Sequence, residues 1–292
     1  MFMTLLALGI AVDTIFTVDV ESGEYAALYD DTGPSPDGVQ TADGVVYWTT
    51  MGRPIRDRSL RGEASLDYSQ ANGGVHAVNV DGNDRRDLVE PGEVTTGKQL
   101  ALADGWLYWG DREGHRVSRA RIDGRDRQDL VVNPAGIGNQ CVGVAVDGDY
   151  FYWTQKGPSK GGEGKILRAP ILVDDAHDPA SRTDIEVLWN GLPEPIDLAI
   201  VDGVLYWTDR GAPPSGNTLN RADLPAPGRR GASPQILADG FGEAVGLAVD
   251  ADAGVAYASD LAGRIFAVPL AGGDKRLIAD LGTRVSGIVG LA

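Results

Sequence analysis

The 292-residue chain is poor in the residues that build covalent or metal-held frameworks. It has one cysteine, Cys141, and three histidines, which excludes an intramolecular disulfide and any zinc site of several thiolates. No run of about 20 apolar residues occurs, so no membrane-spanning helix is expected. Basic residues are also short: 26 Lys and Arg stand against 42 Asp and Glu, a net charge of −16. Such a surface repels the phosphates of nucleic acids and of an anionic membrane, so neither is expected as a partner. A Gly-x-Ser-x-Gly elbow is missing, which weakens a serine-hydrolase reading. The opening MFMTLLALGIAVDTIF lacks the basic leading segment of a signal peptide and runs into Asp13. It reads as a strand of the domain, and the expected location is cytoplasmic.

Glycine is abundant. The 40 glycines are about twice the usual share of ~7%, yet they fall singly, without a period of three, so a collagen-like chain is excluded. With 42% hydrophobic residues the chain can bury a core, and disorder is not expected.

The main signal is internal repetition. LYWGD spans Leu107 to Asp111 and LYWTD spans Leu205 to Asp209, with weaker copies VYWTT (from Val46), FYWTQ (from Phe151) and AYASD (from Ala256). Their tyrosines, at 47, 108, 152, 206 and 257, are 61, 44, 54 and 51 residues apart, so a fixed unit carries variable loops. The third unit reads as four short strands: Lys98 to Asp104, Trp106 to Asp111, Arg116 to Gly124 and Arg127 to Val132. Gly, Asp and Asn punctuate them, as antiparallel hairpins require. Four-stranded units repeating every 45 to 60 residues or so predict an all-β, six-bladed β-propeller forming a single domain over 1–292. Five blades are expected over 35–95, 96–138, 139–192, 193–242 and 243–283. The sixth combines 1–34 with 284–292, so that both chain ends close one blade and hide the sheet edges.

These motifs resemble the YWTD β-propellers, the class B repeats of low-density lipoprotein receptors. The segment RVSRARIDGRDRQDL (Arg116 to Leu130) is similar to that family's third strand, Asp-Gly turn and fourth strand. Departures are Thr50 and Gln155 in place of the motif Asp, and Ala258 in place of the Trp. No cysteine-rich modules flank the repeats, so the chain resembles a free-standing microbial relative. The resemblance implies structural work for the motif: Asp111, Asp209 and Asp260 tie blades, and Tyr108, Trp109, Tyr206 and Trp207 fill the space between sheets. The Asp-Gly pairs at 81–82 and 123–124 are read as turns, and no EF-hand spacing follows Asp123.

Function is sought where the repeat breaks. The first strands, which surround a propeller's channel, align on a glycine column of Gly38, Gly143, Gly246 and Gly287. Gln99 and Asp197 occupy that column in the other two blades. The strand starts add Asp37, Lys98, Gln140, Cys141, Glu194, Glu243 and Arg284 at one channel mouth, groups suited to a small polar ligand. Glu194, Asp197 and Asp37 are the candidate acid–base residues, with Glu194 and Asp197 near enough in sequence to share a proton or a cation. Lys98, Gln99, Gln140, Glu243 and Arg284 are the candidate substrate-binding residues, Lys98 and Arg284 for an anion. The oxygen donors suit Ca²⁺ or Mg²⁺ better than a soft metal. A long insert, Met51 to Gly73, carries Arg53, Arg56, Arg58, Arg61 and Tyr68 and is expected to overhang this mouth as a lid or anion-recognition loop. A glycine-rich loop, Lys156 to Gly164, is expected beside it. His76, His115 and His177 lack metal-ligand spacing, and Cys141 is expected to be inert packing.

Two functions are compatible with these residues. One is a small-molecule propeller, with lactone hydrolysis, lyase action or isomerisation as the chemistry these groups allow. The other is a protein- or peptide-binding module on the same face, as the receptor resemblance implies.

Overall fold

The computed structural model describes residues 1–171 and 178–291. His177 therefore lies outside the described residues. Twenty-four strands form six four-stranded antiparallel sheets, numbered as blades 1 to 6 in the order of the expected units. Blade 1 pairs the C-terminal strand Val285–Leu291 with Thr4–Gly9, followed by Thr14–Asp19 and Tyr25–Tyr29. The innermost strands of blades 2 to 6 are Pro36–Ala42, Gly97–Ala103, Cys141–Asp147, Pro195–Val201 and Ala244–Asp250. Each packs on the innermost strand of the next blade, and Val285–Leu291 packs on both Ala244–Asp250 and Pro36–Ala42, closing the ring. The fold is the expected six-bladed β-propeller.

Local chemistry sets the hairpins. Asp43-Gly44, Asp104-Gly105 and Asp202-Gly203 join first to second strands, and all six residues have positive φ between 49° and 75°. That is the signature of a type I′ turn, whose twist matches the strands it joins. Between blades, apolar side chains of neighbouring sheets interdigitate. Trp207 and Leu205 of blade 5, for example, pack with Ala145 and Tyr152 of blade 4. Trp48, Trp109, Trp153 and Trp207 are fully buried and are the largest contributors.

The threonine of the repeat motif is a stitch between blades. Thr154 Oγ1 accepts from Gly143 N (2.7 Å) in its own innermost strand and donates to Ile196 O (2.9 Å) in the next blade. Thr49, Thr208 and Ser259 make the same pair of bonds. Blade 3 has Gly110 there, because a Cβ would lie 2.6 Å from Val142 O. The motif aspartates serve the blade joints. Asp111 accepts from Thr95 N and Thr96 N, Asp209 from Glu194 N and Gly211 N, and Asp260 from Gly242 N and Ala262 N. Blade 2, which has Thr50 in place of Asp, uses a neighbour: Thr50 Oγ1 bonds Gly74 N and the ring of buried His76, whose Nδ1 is 2.5 Å from Asp87.

Candidate functional site at the channel mouth

Every innermost strand begins with a register shift against its second strand. In blade 5, Pro195 pairs with Asp209 and Leu198 with Trp207, so an extra residue bulges out. Bulges of this kind re-aim side chains. Six bulges around an axis give two rings of residues. The first ring is Asp37, Lys98, Val142, Ile196, Val245 and Ser286, and the second is Gly38, Gln99, Gly143, Asp197, Gly246 and Gly287. Glycine prevails in the second ring because neighbouring strands touch there. A Cβ on Gly143 would stand 2.1 Å from Ile196 O, and one on Gly287 would stand 2.3 Å from Asp37 O. Val142, Ile196 and Val245 form an apolar cluster on one side of the axis. The polar residues gather on the other.

There Lys98 Nζ donates to Asp37, as does Gln99 Nε2 (2.9 Å), and Lys98 Nζ lies 3.3 Å from Met51 Sδ. Burial pushes the Lys98 ammonium below its ordinary range against the pull of Asp37. Asp197 turns back on the backbone and accepts from Leu198 N and Leu247 N, both at 2.9 Å. Burial pushes its carboxyl up to about 8 despite those bonds, with Asp37 adding to the effect. Burial thus favours its neutral form, and the two N–H bonds favour its charged form.

A second layer lies one residue beyond the repeat motif, in the column Ile10, Met51, Arg112, Lys156, Arg210 and Leu261. Three consecutive blades place a cation there. Buried Glu194 accepts from Arg210 Nε (2.8 Å) and Lys156 Nζ (3.4 Å), and from Lys160 N (2.9 Å). Arg112 pairs with Glu113 at 2.7 Å. All three cations also reach one carboxylate from the insert of blade 2. Arg210 pairs with Glu63, Arg112 Nη1 is 3.2 Å from it and Lys156 Nζ 3.7 Å. Burial opposes the Glu63 charge, but Arg210, Lys156 and Arg112 outweigh it and hold the carboxyl at about 2.

The insert does overhang the mouth, through Tyr68 as singled out in the sequence but through Glu63 in place of the four arginines. It carries two two-residue strands, Ile55–Arg56 and Leu66–Asp67, and a short 3-10 turn at Gly62–Ser65 that presents Glu63. Asn72 clasps its base, bonding both N and O of Arg53 at 3.1 Å. Tyr68 is buried beneath Arg112, 5.3 Å from guanidinium carbon to ring centre. Arg53, Arg56, Arg58 and Arg61 are exposed instead, because the loop turns its one inward-facing charge, Glu63, onto the cations.

Other expectations change as well. Glu194 and Asp197 do not share a proton or cation, since the bulge sends one to Lys156 and Arg210 and the other to backbone N–H groups. The structure brings Asp37, Lys98, Gln99, Glu194 and Asp197 into the buried site, where none is more than 8% exposed. Gln140 reaches only its rim, 3.5 Å from Glu113. Glu243 lies half-buried at the rim, opposite Lys160 (3.5 Å). Arg284 is exposed and gives the site only a backbone carbonyl, to Ile10 N. A divalent cation does not fit: among the described residues no three Asp, Glu, His or Cys side chains come together, and the carboxylates face cations or N–H groups. Cys141 is buried, and burial pushes its thiol upward.

Of the residues missed in the sequence, Arg112, Lys156 and Arg210 carried a signal, and Glu63 carried none. The position after each motif reads Met, Arg, Lys, Arg, Leu along the five tyrosine repeats, an asymmetry as informative as the glycine column. The site is covered rather than open. Two open clefts lie on outer edges, one of about 480 Å³ beside Ile236, Asp239 and Lys275, the other beside Glu186 and Arg229.

Fold and site thus define a six-bladed β-propeller whose channel mouth holds a buried, charge-matched network. No family model matches the chain. It is 41% identical over 273 residues to low-density lipoprotein receptor-related protein 1 of Pyricularia oryzae, covering 83% of this chain and 81% of that protein. It is 36% identical over 278 residues to the 3-hydroxyacyl-CoA dehydrogenase-like protein LAM1 of Cochliobolus heterostrophus, covering 87% of this chain and 55% of that one. The chain thus spans little more than half the length of the second relative. In three dimensions it resembles a chain of the nidogen/laminin complex, with a TM-score of 0.70, 18% identity and coverage of 98% and 97%. The chain belongs to the YWTD-type β-propeller family.

Proposed function

We propose that this propeller handles a small, polar, anionic molecule at its channel mouth, with Arg112, Lys156 and Arg210 as the recognition cations and Asp197 as the acid of the site. One observation carries the reading: three consecutive blades each place a cation on a position that is apolar in the other three. A repeat evolving only for stability has no need of that asymmetry, because the inter-blade contacts recur around the ring. Buried charges carry a desolvation cost and rarely add net stability, which also favours a functional origin. Lys98 and Asp37 form a second, deeper pair that a ligand entering along the axis would meet next. Asp37 and Glu194 are less favoured as catalysts, since both carboxylates are held by cations. Hydrolase, lyase or isomerase chemistry would rest on Asp197.

The test is a thermal-shift screen of organic anions, neutral sugars and divalent cations on the wild type and on Asp197→Ala. A ligand should raise the melting temperature by mass action, and the response should change in the variant. No response to any small molecule, together with capture of a protein partner, would reverse the reading.

Protein docking is the second reading, and one feature favours it. Ile55, Leu60 and Ile137 are each about half exposed on loops of the mouth face, beside the four exposed arginines of the insert. That combination of apolar and Arg side chains suits a partner surface.

A further inference from the structure

Glu63 is the one member of the mouth network that does not come from the propeller's repeated framework. Every other charge in the network sits on a strand end or blade joint, where the ring fixes it. Glu63 stands on a short turn in a 22-residue excursion between two strands of blade 2, clasped at its base by Asn72 and anchored by buried Tyr68, whose carbonyl accepts from Thr96 Oγ1 at 2.9 Å. It reaches across to blades 3, 4 and 5, meeting Arg112, Lys156 and Arg210. Its side chain remains 37% exposed, whereas those three cations are 5 to 12% exposed. Solvent therefore reaches the carboxylate but hardly reaches the groups it binds.

Lifting the turn would unbalance the charge of the mouth. Arg112, Lys156 and Arg210 face Glu113, Glu194 and Glu63, three cations against three carboxylates. Without Glu63 the network carries one uncompensated positive charge among nearly buried groups, a costly arrangement unless another anion replaces it. The arrangement is thus a carboxylate site filled by a carboxylate of the same chain.

We infer that Glu63 is an internal stand-in for the ligand: a small carboxylate-bearing molecule takes over its place between Arg112, Lys156 and Arg210 when the tip of the insert, residues 55–67, lifts. This rests on the reading of the mouth as a small-molecule site and names its ligand class and its gate. A planar carboxylate is preferred over phosphate because the cations converge on the two oxygens of one, with Arg112 and Lys156 on Oε1 and Arg210 on Oε2. A tethered competitor acts at millimolar or higher effective concentration, so the wild type binds free carboxylates weakly.

The experiment is isothermal titration of wild type and Glu63→Gln with acetate, malonate and citrate. Inorganic phosphate and chloride serve as comparators at fixed ionic strength. Glu63→Gln should bind at least one carboxylate tenfold or more tighter than wild type and tighter than phosphate. In parallel, saturating carboxylate should speed tryptic cleavage of the wild-type insert at Arg56, Arg58 and Arg61, while chloride should not. A folded Glu63→Gln that binds carboxylates no better than wild type overturns the inference, as does preference for phosphate. If the variant does not fold, unchanged tryptic cleavage of the wild type overturns it alone. Should the inference fail while a neutral molecule still raises the wild-type melting temperature, the mouth remains a small-molecule site. Should nothing bind, both readings fall.

Discussion

Replacing Thr154 with Val keeps the side-chain shape and removes only its hydroxyl. Two hydrogen bonds go with it: the one received from Gly143 N at 2.7 Å and the one given to Ile196 O at 2.9 Å. Thr154 is fully buried, so water cannot replace them. An unsatisfied buried group costs about 1–3 kcal/mol, so the pair gives a loss of about 2–6 kcal/mol. With an unfolding entropy of about 2.1 cal/mol/K per residue, a chain of this length loses about 0.6 kcal/mol of stability per degree near its midpoint. The melting temperature should therefore fall by about 3–10 °C, read by scanning calorimetry with a reversibility check. Thr154→Ser retains the hydroxyl and should lose much less. A Thr154→Val midpoint within about 1 °C of wild type would refute the stitch as a source of inter-blade stability.

Four further outcomes are expected. Gly110→Ala should destabilise, since its Cβ would stand 2.6 Å from Val142 O, and urea denaturation should show a lower midpoint at unchanged slope. Asp197 binds a proton in the fold up to about pH 8 but only to about pH 4 when unfolded. The wild type should therefore lose stability relative to Asp197→Asn as pH rises from 4 to 8, and parallel curves would remove the protonated carboxyl. His76 shifts the other way: burial depresses its pKa to about 4, so between pH 4 and 6.5 the unfolded chain holds the extra proton. That contribution is complete above about pH 6.5 and is lost on acidification; an imidazole proton-resonance titration with a midpoint near 6.5 would contradict it. Native Cys141 should not react with a disulfide reagent until the protein unfolds, and rapid labelling of the folded chain would show its burial to be wrong.

The architecture was legible because its motif is written five times. A tyrosine–tryptophan pair before a turn residue has little meaning once, but its recurrence with short alternating runs leaves few folds besides a propeller. The glycine column was readable for the same reason, and the structure gives its cause in the backbone contacts behind Gly38, Gly143, Gly246 and Gly287. Closure by Val285–Leu291 on Thr4–Gly9 followed from hiding sheet edges. Residues that deviate within the repeat, Gln99 and Asp197, were found by the deviation itself.

The site was less legible because its decisive member lies outside the repeat. Sequence gives no register for Glu63, since a loop of this length has no periodicity to say which charge turns inward. Four arginines stand out in a chain of net charge −16, but local electrostatics act in the opposite sense. The site beneath the loop is basic, with Arg112, Lys156 and Arg210 crowded into three adjacent blades. An incoming loop therefore lowers its energy by burying an acid and leaving its arginines in water, where solvation is cheapest. The overall acidity and the basic mouth are then parts of one arrangement. On the proposed reading, a small anion would gain its binding energy by reaching the shielded cations within, where the field is least screened.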